Sequence, residues 1–144
     1  MKLRNELSLT LPAIGENEAV ARSILSAFVA TVSPTVEELG DLRCAISEAV
    51  TNSVVHAYGP EGGPVYIRIR LFFDRTVSVR VADRGVGIAD VQEARRPHVT
   101  TGPSDERAGM GFLVMESLTD RLTVRSTVGR GTVVTMWKKL APCP

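Results

Sequence analysis

A chain of 144 residues, 44% of them hydrophobic, suits one domain with a buried core rather than two. Seventeen basic residues against sixteen acidic ones give a net charge of +1, which argues against a general nucleic-acid binder but leaves room for a local basic patch. Two distant cysteines, Cys44 and Cys143, make neither a disulfide framework nor a metal spacing and point to a reducing cytosol. The opening MKLRNELSLTLP alternates instead of forming an apolar signal core, and no apolar run approaches the ~20 residues of a membrane span.

Leu7, Leu9 and Leu11 alternate with Glu6, Ser8 and Thr10, which predicts a first strand ended by Pro12. Residues 16–32 have helical spacing, with Ala21, Ile24, Leu25 and Phe28 on one face, and Ser33-Pro34 breaks that helix. Thr35 and Glu38 form a capping box, so a second helix starts there and runs to about Ala57. YGPEGGP (58–64) is a loop, followed by a strand with Val65, Ile67, Ile69 and Leu71 on one side. A tight turn at Asp74-Arg75 leads to a partner strand through Val77, Val79 and Val81. A short helix near 90–95 and another over 112–118 follow, then a closing hairpin of 121–128 and 132–139 around GRG. This order predicts an α+β fold: a two-layer sandwich with a mixed, mostly antiparallel sheet and helices on one face, all in a single domain over 1–144.

The second helix carries EAVTNSVVH (48–56). Glu48, Asn52 and His56 fall within about 80° of its surface. Leu42, Ile46, Val50 and Val54 form the opposite, core-facing stripe, while Ala45 and Ala49 are placed along the polar track, leaving room for a ligand. The track has no Lys or Arg, unlike a solvated face with charges of both signs. One reading is a plain polar stripe. The other is a site, in which a carboxylate takes a proton from a nucleophile and an amide oxygen holds a hard cation such as magnesium. His56 alone reads as structural.

Seven of the twelve glycines fall between Asp83 and Thr132, six of them grouped as DRGVG (83–87), GMGF (109–112) and GRGT (129–132). Each group alone is weak. Together they describe backbone that approaches a ligand closely. Amides at a helix start after GMG would point at an anion, and an acid ending a strand can accept a hydrogen bond from an exocyclic amine. The set suggests a nucleoside triphosphate site with magnesium. It is not a P-loop, because no GxxxxGK[ST] occurs, and no GxGxxG follows the first strand as in a dinucleotide fold.

In this order the motifs resemble the GHKL ATPase and kinase superfamily, whose nucleotide-binding domain is the Bergerat fold. EAVTN (48–52) matches its N box, DRGVG its G1 box, GMGF its G2 box and the glycine-threonine pair 131–132 its closing element. ENEAVAR (16–22), EARRPHVTT (93–101) and ERAGMGF (106–112) extend the likeness to the anti-sigma kinases of sporulation, with those governing general stress as the near alternative. The resemblance implies ATP or ADP with Mg2+, an Asn52 that coordinates the metal, and Glu48 as general base toward a protein serine. It implies Asp83 on the adenine amine with Gly85 and Gly87 beside it, and Thr132 in support. Residues 95–108 become a lid with Thr100, Thr101 and Arg107 near the phosphates, and Gly109, Met110 and Gly111 supply amides to them. The implied partners are a sporulation sigma factor of the F type, an anti-anti-sigma factor phosphorylated on serine, and a second copy in a homodimer, in the cytoplasm. Glu18 and Arg22 match partner-binding positions, although by spacing alone they are an i,i+4 surface pair worth about 0.2–0.5 kcal/mol. A binder without kinase activity, a gyrase-like ATPase and a histidine-kinase module are the competing readings. Glu48, the lack of a predicted transducer domain and the lack of a heptad-bearing phosphoacceptor helix argue against them in turn.

Overall fold

The computed structural model describes residues 1–96 and 103–144, the side chains of 103–109 excepted. Five strands, β1 (Leu3–Pro12), β2 (Pro64–Phe72), β3 (Thr76–Asp83), β4 (Arg121–Thr127) and β5 (Gly131–Lys139), form one sheet in the order β1-β2-β3-β5-β4. Every pairing is antiparallel, so the expected mixed element is absent among the described residues. The helices are α1 (Glu16–Val29), α2 (Val36–Asn52), the short α3 (Val91–Ala94) and α4 (Pro103–Leu118), with α2 packed against both α1 and α4. No helix among the described residues is long and apolar enough to cross a membrane.

Strand period decides which face the helices cover. On β2, Val65, Ile67, Ile69 and Leu71 are buried while Tyr66, Arg68 and Arg70 alternate with them half-exposed. Helix residues Leu25, Val29, Leu42, Ile46, Val50 and Met115 complete the core on that side. Each large side chain so buried contributes about 1.5–3 kcal/mol.

Ala45 and Ala49 belong to this core, each 1% exposed, which corrects their placement on the polar track. With a helix on either flank, the dry arc of α2 is wider than a single stripe. Val54 is only partly buried.

Two further boundaries differ from the sequence reading. The helix expected to run to Ala57 is regular only to Asn52 and continues as a π-helical turn over Ser53–Ala57, one residue wider than an α turn. Helix α4 begins at Pro103 rather than near 112, so it contains Gly109 and Gly111. Two glycines cost a helix roughly 1 kcal/mol each, which is why the sequence reads as a later start.

The capping box forms as expected: Thr35 Oγ1 accepts from the Glu38 amide at 3.0 Å and Glu38 Oε1 accepts from the Thr35 amide at 2.8 Å. Glu38 Oε2 also accepts from the Ala141 amide at 2.7 Å, tying the C-terminal tail to the start of α2. The Thr35 amide, with help from Ala141, holds the Glu38 carboxyl below its ordinary range. A depressed folded-state pKa contributes stability that is complete above the unfolded value, about 4.3, and is lost as pH falls through the folded one. Glu38→Gln is therefore expected to lower the urea midpoint at pH 7, with the gap to the parent protein closing as pH drops below about 4.

Candidate functional site

The site lies where the end of α2 meets the end of β3 and the two glycine turns. Glu48 and Asn52 are half-buried on successive turns of α2, and His56 is exposed on the π-helical turn. Glu48 faces α4: a Cβ built on Gly111 would lie 3.5 Å from Glu48 Oε2. That glycine leaves clear the space beside the carboxylate.

Asp83 ends β3 and is 7% exposed. Its Oδ1 accepts from the amides of Gly85 (3.0 Å) and Thr132 (3.2 Å), and its Oδ2 accepts from the Ser53 hydroxyl (3.2 Å). An ionised carboxylate has about four acceptor positions. Three are taken, which fixes the plane of the group and leaves one position on Oδ2. Asp83 lines a small cavity of about 20 Å³ together with, among others, Asn52, His56, Gly87, Ile88 and Thr132. That is room for a water, so a nucleobase requires the cavity to widen.

The glycines are required by closeness of backbone. A Cβ on Gly85 would lie 2.0 Å from the Ala57 carbonyl oxygen, the same oxygen that accepts from the Val86 amide at 2.8 Å. The widened turn at 53–57 thus delivers a carbonyl to the loop after β3. Gly131, at φ +117°, would place a Cβ 2.1 Å from the Asp83 carbonyl oxygen. Gly87, at φ +76°, packs as closely on Thr127.

Of the remaining expected residues, Thr100 and Thr101 lie outside the described residues, as does the Arg107 side chain. Gly109, Met110 and Gly111 sit inside α4 and not at its start. Amides in a helix interior are spent on carbonyls four residues back, so in this conformation the three do not offer donors to an anion. This corrects the expectation of a helix start after GMG. Glu18 and Arg22 pair with each other at 2.6 Å on α1, and Arg22 Nη1 lies 3.4 Å from Ser47 Oγ on α2, beside Glu48.

Three residues were missed. Ser53 holds Asp83. Tyr58 Oη accepts from the Arg84 amide at 2.7 Å and donates to the Pro64 carbonyl at 2.6 Å, bracing the loop after β3. Ser126 meets Thr132 across the closing hairpin, Oγ to Oγ1 2.8 Å. A turn centred on Gly129 pairs 126 with 132, so that neighbour was available from the sequence.

Among the described residues no group of three His, Cys, Asp or Glu is placed to hold a metal. A site for Mg2+ here fits an amide oxygen, with phosphate and water filling the other positions, which is usual for this ion. Asn52, at the cavity wall, is the residue able to give it.

The sequence profile of the histidine kinase-like ATPase domain matches residues 11–138. An anti-sigma F factor of Pasteuria penetrans is 50% identical over 138 residues, spanning 95% of this chain and 92% of that protein. One from Caldanaerobacter subterraneus subsp. tengcongensis is 44% identical, spanning 96% of each. Among solved structures, the RsbU and RsbW domains of a Mycobacterium tuberculosis protein superpose with a TM-score of 0.71 at 21% identity, covering 97% of this chain and 34% of that one. A blue-light activated histidine kinase from Erythrobacter litoralis gives 0.58 at 20%, over 82% of this chain and 40% of that one. The profile match and the two near-full-length relatives decide the family: the chain belongs to the anti-sigma F factor family of histidine kinase-like (GHKL) ATPases.

Proposed function

We propose that this chain binds ATP with Mg2+ and phosphorylates a serine of an anti-anti-sigma partner. As a cytosolic homodimer it also binds and inhibits a sporulation sigma factor of the F type. The observation that carries the nucleotide reading is Asp83. A buried carboxylate that lines a cavity, with three acceptor positions taken and one left, is an acceptor for an exocyclic amine. The names of the relatives support the sigma-factor part, and β1, an edge strand of the sheet, offers a route to pairing between copies.

Asp83 anchors the base and Thr132 lies beside it. Asn52 holds Mg2+ through its side-chain oxygen, and the ion offsets phosphate charge when bound. Glu48, one turn back along α2, accepts the proton of the incoming serine hydroxyl. The serine oxygen bonds to the γ-phosphorus as the bond to the β,γ-bridging oxygen breaks, and ADP leaves. Most of the rate comes from positioning and charge stabilisation. Glu18 and Arg22 offer a charged, half-buried pair on α1, next to α2, to partners.

Incubation with γ-labelled ATP, Mg2+ and the anti-anti-sigma protein is expected to label that protein on serine. Tight ATP binding with no label would leave a nucleotide-gated sigma-binding protein instead.

A further inference from the structure

Two guanidiniums cross the seam between α1 and α2 in opposite directions. Arg22 reaches from α1 to Ser47 on α2, at 3.4 Å. Arg43 reaches from α2 to Ser26 on α1, where its Nη1 donates to Oγ at 2.6 Å. Ser26 in turn donates to the Arg22 carbonyl at 2.9 Å, so the two cations stand on neighbouring turns of one connected seam. They differ in one respect. Arg22 has a carboxylate, that of Glu18, at 2.6 Å. Arg43 belongs to none of the ion pairs among the described residues, and the positions three and four away from it on α2 are Leu39, Gly40, Ile46 and Ser47. Ser26 takes one of its five N–H donors.

The helix surface around this seam is smooth. Gly40, Cys44 and Thr51 on α2, and Ala19, Ser23 and Ala27 on α1, are small, uncharged and turned away from the core. A solvated helix face usually mixes charges of both signs. Here the charges are confined to the seam, and side chains this short let another chain come close to it. Arg43 is half-buried. A cation partly withdrawn from water, with most of its donors unspent, gains from a counter-charge.

We infer that Arg43, beside the Glu18–Arg22 pair, is the second cation of a protein-docking surface on α1 and α2, and that it takes a carboxylate side chain of the sigma factor. The inference rests on the partner reading above. Charge decides the chemistry. One acid against two arginines leaves the seam one positive charge over, and a planar guanidinium with free donors matches a carboxylate. Duty decides between the two partners. An inhibitor has to hold its target, and a buried charge pair acts on the rate of release. A kinase has to let its substrate go after each transfer and gains nothing from such an anchor.

The test measures binding of a purified F-type sigma factor, with ATP and Mg2+ present, by the parent protein and by Arg43→Gln. A hydrogen bond to a charged group corresponds to roughly 10- to 100-fold in affinity. Arg43→Gln is expected to weaken the complex by that factor, through faster release, and to flatten its dependence on salt. Labelling of the anti-anti-sigma protein and ATP affinity are read in the same preparations and are expected to stay near the parent values. Arg43→Lys keeps the charge and loses the fork, so it should fall between parent and glutamine variant. It also carries the test if the glutamine variant does not fold. An Arg43→Gln protein that holds the sigma factor as tightly as its parent would overturn the inference. So would an equal loss toward both protein partners, or a loss of ATP affinity alongside, either of which marks a residue that only supports the helix pair. A parent protein that does not bind the sigma factor would overturn the partner reading itself, and this inference with it.

Discussion

Glu48→Gln is expected to lower phosphoryl transfer to the partner serine by roughly 10²- to 10⁴-fold, the usual worth of a positioned general base, while ATP affinity stays nearly unchanged. The substitution keeps the size of the side chain and the space beside Gly111, and removes the ability to take a proton. Asn52 and Asp83, the residues proposed to hold metal and base, are untouched. Single-turnover transfer of γ-label, read beside a calorimetric ATP affinity, separates the outcomes. An unchanged rate would remove Glu48 from the chemistry. Parallel loss of rate and affinity would make it a residue that shapes the pocket.

Gly85→Ala carries the largest expected structural effect. Its Cβ would lie 2.0, 2.5 and 2.7 Å from the carbonyl oxygen, carbonyl carbon and Cα of Ala57, all backbone. No side chain can swing away to make room. The loop after β3 or the turn at 53–57 has to move, and the bond from the Val86 amide to the Ala57 oxygen goes with it. Overpacking of this kind costs about 1–3 kcal/mol. Because Gly85 also donates to Asp83, ATP affinity is expected to fall further than stability. Gly40→Ala is the control. Gly40 is exposed in α2 with nothing within 4 Å of a built Cβ, and alanine there should stabilise by about 0.4–1 kcal/mol. Urea midpoints of both variants, with ATP binding, test the pair. A Gly85→Ala protein as stable and as ATP-competent as its parent would contradict the close packing.

The strands and caps were legible because their signals are local. Val65 to Leu71 alternate, so period 2 alone orients β2, and Thr35 with Glu38 marks the start of α2 without reference to anything distant. The site residues Glu48, Asn52 and Asp83 stood out as polar groups in apolar surroundings and by their motif spacing. What was hidden depends on neighbours. Ala45 and Ala49 lie beside the polar track on a helical wheel, and only the packing of α2 between α1 and α4 shows them dry. Gly109 and Gly111 read as breakers, yet α4 passes through both. Ser53 and Ser126 look like any surface serine until the fold brings Asp83 and Thr132 within hydrogen-bonding distance.

The π-helical turn bears on how the length of this chain can change. Residues 53–57 hold one residue more than an α turn needs. Removing one, the exposed Val55 for instance, would let the helix close into its more comfortable form. The same change would rotate Ala57 away from the loop after β3 and shift the anchor point of Tyr58. The exposed stretch 59–62 only bridges to β2 and can absorb extra residues. Insertions and deletions are thus unevenly permitted within ten residues of chain: the segment with the least regular helix is the one whose residue count cannot drift.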